Sequence, residues 1–147
     1  MTLTVRRLKA EQLEELRSWY DDAELARRLT YPTDEWYAAV SGEGQQCWVV
    51  FDESGTIVAS MQVDREADVG YIALAVKPEL RGRGIGSAAL RAFITGPGRQ
   101  YSILEGRIAP DNVASIACVQ KCGFRMLDEL DEDGLIVARW HREPTVA

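Results

Sequence analysis

The stretch "PELRGRGIGSAALRAF", Pro78 to Phe93, constrains the chain more than any other. Arg81, Gly82, Arg83, Gly84 and Gly86 crowd into a turn that runs straight into alanines and a leucine. Glycine lets backbone N–H groups approach a ligand with no side chain between them. The first turn of a helix leaves its N–H groups unpaired and carries about half a positive charge. A phosphate is the natural guest of such a turn.

Around this turn the periodicity predicts a set of alternating elements. Leu8, Leu13, Leu16 and Tyr20 fall at helical spacing, "DDAELARRL" continues in kind, and Thr33 starts a helix over "EWYAAV", so the first third reads as helical. "CWVVF" and "TIVASMQV" form a hairpin across "DESG", and "VGYIALAV" is a third strand. A helix follows from about Gly84 to Thr95, closed by "GPG". "YSILEGRI" is the next strand, and "DNVASIACVQKC" is a helix capped by Asn112 or Asp111 and stopped by Gly123. "FRMLDEL" and "LIVARW" pair as a last hairpin. Strands that meander and then alternate with helices imply an α/β or α+β fold with helices on both faces of one sheet.

At 147 residues the chain fits a single domain spanning 1–147. It has no apolar run of the roughly 20 residues a membrane span needs, and "MTLTVRRLKAEQ" lacks the apolar stretch of a secretory signal, so a cytoplasmic protein with no membrane partner is expected. A net charge of −6 argues against a nucleic-acid partner and favours cationic small ones. Cys47, Cys118 and Cys122 lack the companions of a zinc site, so no metal is expected and the thiols read as structural.

Two phosphate-binding readings compete for the glycine turn. Gly84, Gly86 and Ala89 match the G-x-G-x-x-A form of the dinucleotide fingerprint, with Glu105 placed as a ribose-binding acid. In that fold the turn follows its strand directly, whereas "KPELR" intervenes here, and too little chain remains for further βα units. The other reading absorbs the spacer. "LAVKPELRGRGIGSAAL" resembles the acetyl-CoA signature of the GCN5-related N-acetyltransferases, in which Arg or Gln, then Gly, then Gly or Ala fall where Arg81, Gly84 and Gly86 stand. "NVASIACVQKCGF", Asn112 to Phe124, is similar to the second signature of the family.

That resemblance implies a mixed, mostly antiparallel sheet and an acetyl-CoA-dependent N-acetyltransferase. Its acceptor would be a small-molecule amine or a protein N-terminus, attacking directly in a ternary complex. Carried onto this chain, it puts the pyrophosphate on the N–H groups of Gly82, Arg83, Gly84, Ile85, Gly86 and Ser87, with Arg81 and Asn112 in contact with the cofactor. The pantetheine arm would pair with Leu74, Ala75 and Val76 like an added strand. A homodimer stays open.

Acetyl transfer needs a neutral amine. With a pKa near 10.4, an alkyl amine costs roughly 4.6 kcal/mol to deprotonate at pH 7. Asp68 and Glu105 are the candidate bases. Many members of the family carry a proton-donating Tyr where this chain has Val119; Ser115, as in the branch of ribosomal-protein N-terminal acetyltransferases, is the candidate to serve the leaving thiolate. "SWYDDAELARRL" also resembles that branch. The missing Tyr leaves a non-catalytic acyl-CoA sensor as the alternative. The acids Asp128, Glu129, Asp131, Glu132 and Asp133 are expected to steer a cationic acceptor.

Overall fold

A computed structural model describes residues 2–143. The strands are β1 (Thr4–Arg7), β2 (Gln45–Phe51), β3 (Ile57–Glu66), β4 (Val69–Val76), β5 (Ile103–Ile108), β6 (Arg125–Met126) and β7 (Ile136–His141). They form one sheet in the order β1-β2-β3-β4-β5-β7-β6, antiparallel throughout except for β4 and β5. Helices α1 (Leu13–Ser18), α2 (Ala23–Arg28) and α3 (Asp34–Ala39) precede β2. Helix α4 (Ile85–Thr95) crosses from β4 to β5, which is what makes that pair parallel, and α5 (Val113–Lys121) follows β5. This is the mixed, mostly antiparallel architecture that the sequence leads one to expect.

Alternation along the strands sorts residues onto two faces. Met61, Val63, Leu104, Ile108 and Ala138 pack with Leu90, Phe93 and Ile94 of α4 and with Val119 of α5. On the other face Cys47, Val49 and Ala75 meet Leu13, Leu16, Leu25 and Val40 from the α1–α3 side. No helix among the described residues is long and apolar enough to cross a membrane.

Three local features differ from the sequence reading. The first third opens on β1, a short edge strand whose Thr and Arg residues give no apolar run to detect. The long helical pattern breaks into α1 and α2 at a single tight turn, Trp19–Asp21, because Asp22 accepts the Leu25 N–H and caps a new helix. "FRMLDEL" supplies only the two residues of β6, since Asp131 accepts the N–H groups of Asp133 and Leu135 and bends the chain into a loop. The Asp131 carboxylate, 8% exposed, also takes Arg107 at 2.8 Å, so it is a loop brace rather than a steering charge.

Candidate active site

β4 and β5 pair from Val69 opposite Ile103 to Ile72 opposite Gly106, and then part. β5 stays on β7 as far as Ile108, while β4 stays on β3 as far as Val76. The last residues of β4 therefore present an open edge. The Lys77 N–H donates to the Val58 carbonyl on β3 at 2.9 Å. Alternation then turns Ala73 and Ala75 toward β3 and the N–H and C=O groups of Leu74 and Val76 toward the gap. Of the three residues expected to pair with pantetheine, Ala75 thus has its backbone engaged by β3.

The open edge leads into the glycine turn. Gly82 and Gly84 have φ of 77° and 78°, the left-handed region that glycine enters at no steric cost. Gly84 is the N-cap of α4 and offers no side chain, and the Ala88 N–H closes on its carbonyl at 3.2 Å. The N–H groups of Ile85, Gly86 and Ser87 therefore have no helical acceptor and stand ready for an anion. Gly86 has a packing role as well: a Cβ there would lie 3.3 Å from the Cys118 Sγ, so its absence lets α4 close on α5. Burial pushes the Cys118 thiol up to about 11, which keeps it protonated. Arg81 points its guanidinium at Asp22, 2.7 Å away, and ties the turn to the start of α2. Arg83 is exposed on the turn.

Helix α5 starts at the end of the sheet where the strands part. Asn112 Oδ1 accepts the Ser115 N–H at 3.3 Å and is the cap, while Asp111 turns instead to Arg27 and Arg28 of α2. Ser115 is half-buried on the first turn of α5. Val119, at the place where a tyrosine would donate a proton, lies in the apolar core.

On the opposite face a cleft of about 290 Å³ opens between the sheet and the α1–α3 segment, walled by Trp19, Tyr20, Trp36 and Tyr71 with Asp64 and Glu105 among its polar groups. Trp19 belongs to the core as well as to the wall, and Tyr20 and Trp36 pack against that core. Burial pushes the Tyr20 phenol up to about 12, so it stays protonated. Glu105 is 4% exposed and accepts from Arg139 at 2.6 Å and from Arg107 at 2.9 Å. Burial alone would raise its pKa; the two guanidiniums outweigh that and hold the carboxyl below the usual glutamate range. Glu105 sits opposite Tyr71, next to the last pair before the strands part. Asp68 is not brought here: it precedes β4 at the far end from Val76, and its carboxylate accepts the Ser102 hydroxyl.

Sequence reasoning missed Gln62 and Asp64. On β3 Gln62 lies between apolar Met61 and Val63, and Asp64 follows Val63 and sits directly opposite Tyr71. Polar residues alternating with buried ones on an interior strand were the available signal, because a covered sheet has no reason to carry them unless one face is wet.

The profile of the acetyltransferase (GNAT) family matches residues 13–124. An uncharacterized N-acetyltransferase of Bacillus subtilis (strain 168), YfmK, is 33% identical over 136 residues, covering 88% of this chain and 90% of that protein. Among solved structures, aminoglycoside acetyltransferase AAC(6')-Ib in complex with coenzyme A and kanamycin superimposes with a TM-score of 0.80 at 18% identity, over 96% of this chain and 95% of that one. A Vibrio cholerae and hSSAT spermidine N-acetyltransferase chimera gives 0.75 at 16% identity, over 95% and 93% of the two chains. The open strand edge and the bare helix terminus thus stand within a chain that belongs to the acetyltransferase (GNAT) family, an acyltransferase with acetyl-CoA as its cosubstrate.

Proposed function

We propose that the protein transfers an acetyl group to a primary amine of a small molecule or of a protein N-terminus, by direct attack within a ternary complex. The observation that carries this reading is the continuity of two unpaired backbone surfaces, the open edge of β4 at Leu74 and Val76 and the free N–H groups at the start of α4. Together they fit a pantetheine arm followed by a pyrophosphate. Bound acetyl-CoA supplies an activated acetyl thioester; the rest is the work of this chain.

The N–H groups of Gly82 to Ser87 hold the pyrophosphate, each charge-assisted hydrogen bond contributing about 1.5–3 kcal/mol. Arg81 acts through Asp22, positioning the turn against α2, and Arg83 is the cation left to face phosphate. The acceptor enters from the aromatic cleft and reaches the gap between β4 and β5. Glu105 accepts its proton through water: the carboxylate is close to the gap, and Arg107 and Arg139 keep it ionised. The Ser115 hydroxyl, at the positive end of α5, gives a hydrogen bond to the departing thiolate, while Asn112 holds that end of the helix together. A thiolate with a pKa near 8.5 leaves without a stronger acid.

The test follows thiol release from acetyl-CoA with a panel of amines and N-terminal peptides. Turnover with at least one primary amine is expected, and Ser115→Ala should lower it about tenfold with acetyl-CoA affinity nearly unchanged. A protein that binds acetyl-CoA and releases no thiol with any acceptor would be a sensor, which overturns the reading.

A further inference from the structure

We infer that the acceptor carries a second cationic group, held by Asp64 at the far side of the cleft from the reacting amine. The inference rests on the transferase reading above and names its substrate class. Four charged residues line the cleft: Arg28, Asp64, Glu105 and Arg107. Three are already neutralised. Arg28 pairs with Glu24 and with Asp111, Glu105 with Arg139 and Arg107, and Arg107 additionally with Asp131. Asp64 has no cation within ion-pair distance among the described residues; its carboxylate accepts only from the neutral Gln62 amide at 3.0 Å. Gln62 is itself oriented by the Trp36 indole N–H, which donates to its Oε1 at 2.9 Å. The cleft therefore holds one uncompensated charge, negative and fixed in place.

Its surroundings select the form of the cation. Trp19, Tyr20, Trp36 and Tyr71 offer apolar walls and aromatic faces, which suit an ammonium on a methylene chain better than a heavily hydroxylated body. Position sets the spacing. Asp64 is level with Tyr71 on the next strand, while β4 and β5 part beyond Ile72. Strands about 4.8 Å apart with a rise of about 3.3 Å per residue put the Asp64 backbone about 10 Å from the middle of the gap. With the aspartate side chain reaching inward, the second cation falls roughly 6–8 Å from the reacting nitrogen, the span of about four to six methylenes.

The experiment compares α,ω-diamines of three to eight carbons, about the range that brackets this span, with n-alkylamines of matched length at saturating acetyl-CoA. Wild type should show kcat/KM at least tenfold higher for the best diamine than for its matched monoamine, with the optimum at four to six methylenes as estimated from strand spacing. In Asp64→Asn, which keeps a partner for Gln62, the diamine-to-monoamine ratio should fall to about one, and in Asp64→Glu the preference should persist with a shorter optimal spacer. Melting temperature with coenzyme A plus diamine supplies a readout independent of turnover: the diamine should raise it in wild type and not in Asp64→Asn. A ratio near one in wild type, or a ratio that survives in Asp64→Asn, overturns the inference and leaves the transferase reading standing. Absence of thiol release with every amine overturns both.

Discussion

The two faces of the sheet are built by different means. Under α4 and α5 the contacts are apolar and closed: Phe93, Leu90, Tyr101 and Leu104 are fully buried, and Phe93 stacks on Tyr101. Under α1–α3 a polar row crosses the strands, Asp64 opposite Tyr71, Tyr71 opposite Glu105 and Glu105 opposite Arg139. The first face borders a strand edge, two left-handed glycines and a helix start, the backbone features where we propose the cofactor binds. The second holds charges placed from separate strands, the side-chain features where we propose the acceptor binds. A backbone site tolerates side-chain drift; a side-chain site is where one family comes to serve different acceptors.

The largest effect should come from a change on the backbone side. Gly84→Asp puts a carboxylate at the turn proposed to hold the pyrophosphate, and acetyl-CoA binding should be lost. The fold should survive at a strain cost of about 1–2 kcal/mol, because a Cβ at Gly84 meets nothing within 4 Å and Asp enters the left-handed region more readily than most residues. Thermal denaturation reads the outcome: wild type should gain about 2.7 kcal/mol from acetyl-CoA at one hundred times its Kd, the variant nothing, and NADH should stabilise neither. Stabilisation by NADH instead would move the turn back to the dinucleotide reading.

This contrast also explains what could be read from the sequence. Arg81, Gly84, Gly86, Asn112 and Ser115 lie in two short segments, and local spacing is what carries a backbone site. The aromatic cleft draws Trp19, Trp36, Asp64, Tyr71 and Glu105 from three strands and the helical segment, so only strand register brings them together. Register depends on pairing between distant segments, which no window of residues contains. The same reason separates the two acids expected as bases. Asp68 and Tyr71 are close neighbours in sequence, but β4 carries Asp68 to the opposite end from the gap, while β5 returns Glu105 beside it.

An intermediate effect is expected from pH on the side-chain face. Glu105 has a folded pKa below its ordinary value of 4.5. The unfolded chain therefore binds its proton first as pH falls, so the stability from this pair is complete above about pH 4.5 and disappears as pH drops through the folded pKa. Glu105→Gln should cost about 1–2 kcal/mol at pH 7, a modest figure because Arg107 and Arg139 are partly exposed, and the gap to wild type should narrow in acid. Denaturant titrations between pH 3 and 7 check the sign. In turnover, wild-type kcat/KM should climb with pH as free amine appears, with no acid limb from Glu105 above about pH 4.5.

The smallest effect should come from the far end of β4. Asp68 joins β3 to β4, and its backbone carbonyl accepts the Ser102 N–H at 3.0 Å while its carboxylate accepts the Ser102 hydroxyl. These bonds fasten the start of β5 beside the start of β4, where the two strands pair in register. Asp68→Asn keeps an oxygen to accept the hydroxyl, and the side chain is exposed, so stability should change by no more than about 1 kcal/mol. Turnover should stay within about twofold, because a rise of about 3.3 Å per residue along β4 leaves Asp68 about 20 Å from Leu74 and about 26 Å from Val76 at the open edge. A large fall in kcat with unchanged melting temperature would mean that protons leave along β4 toward Asp68, and that the chemistry is not confined to the end where β4 and β5 part.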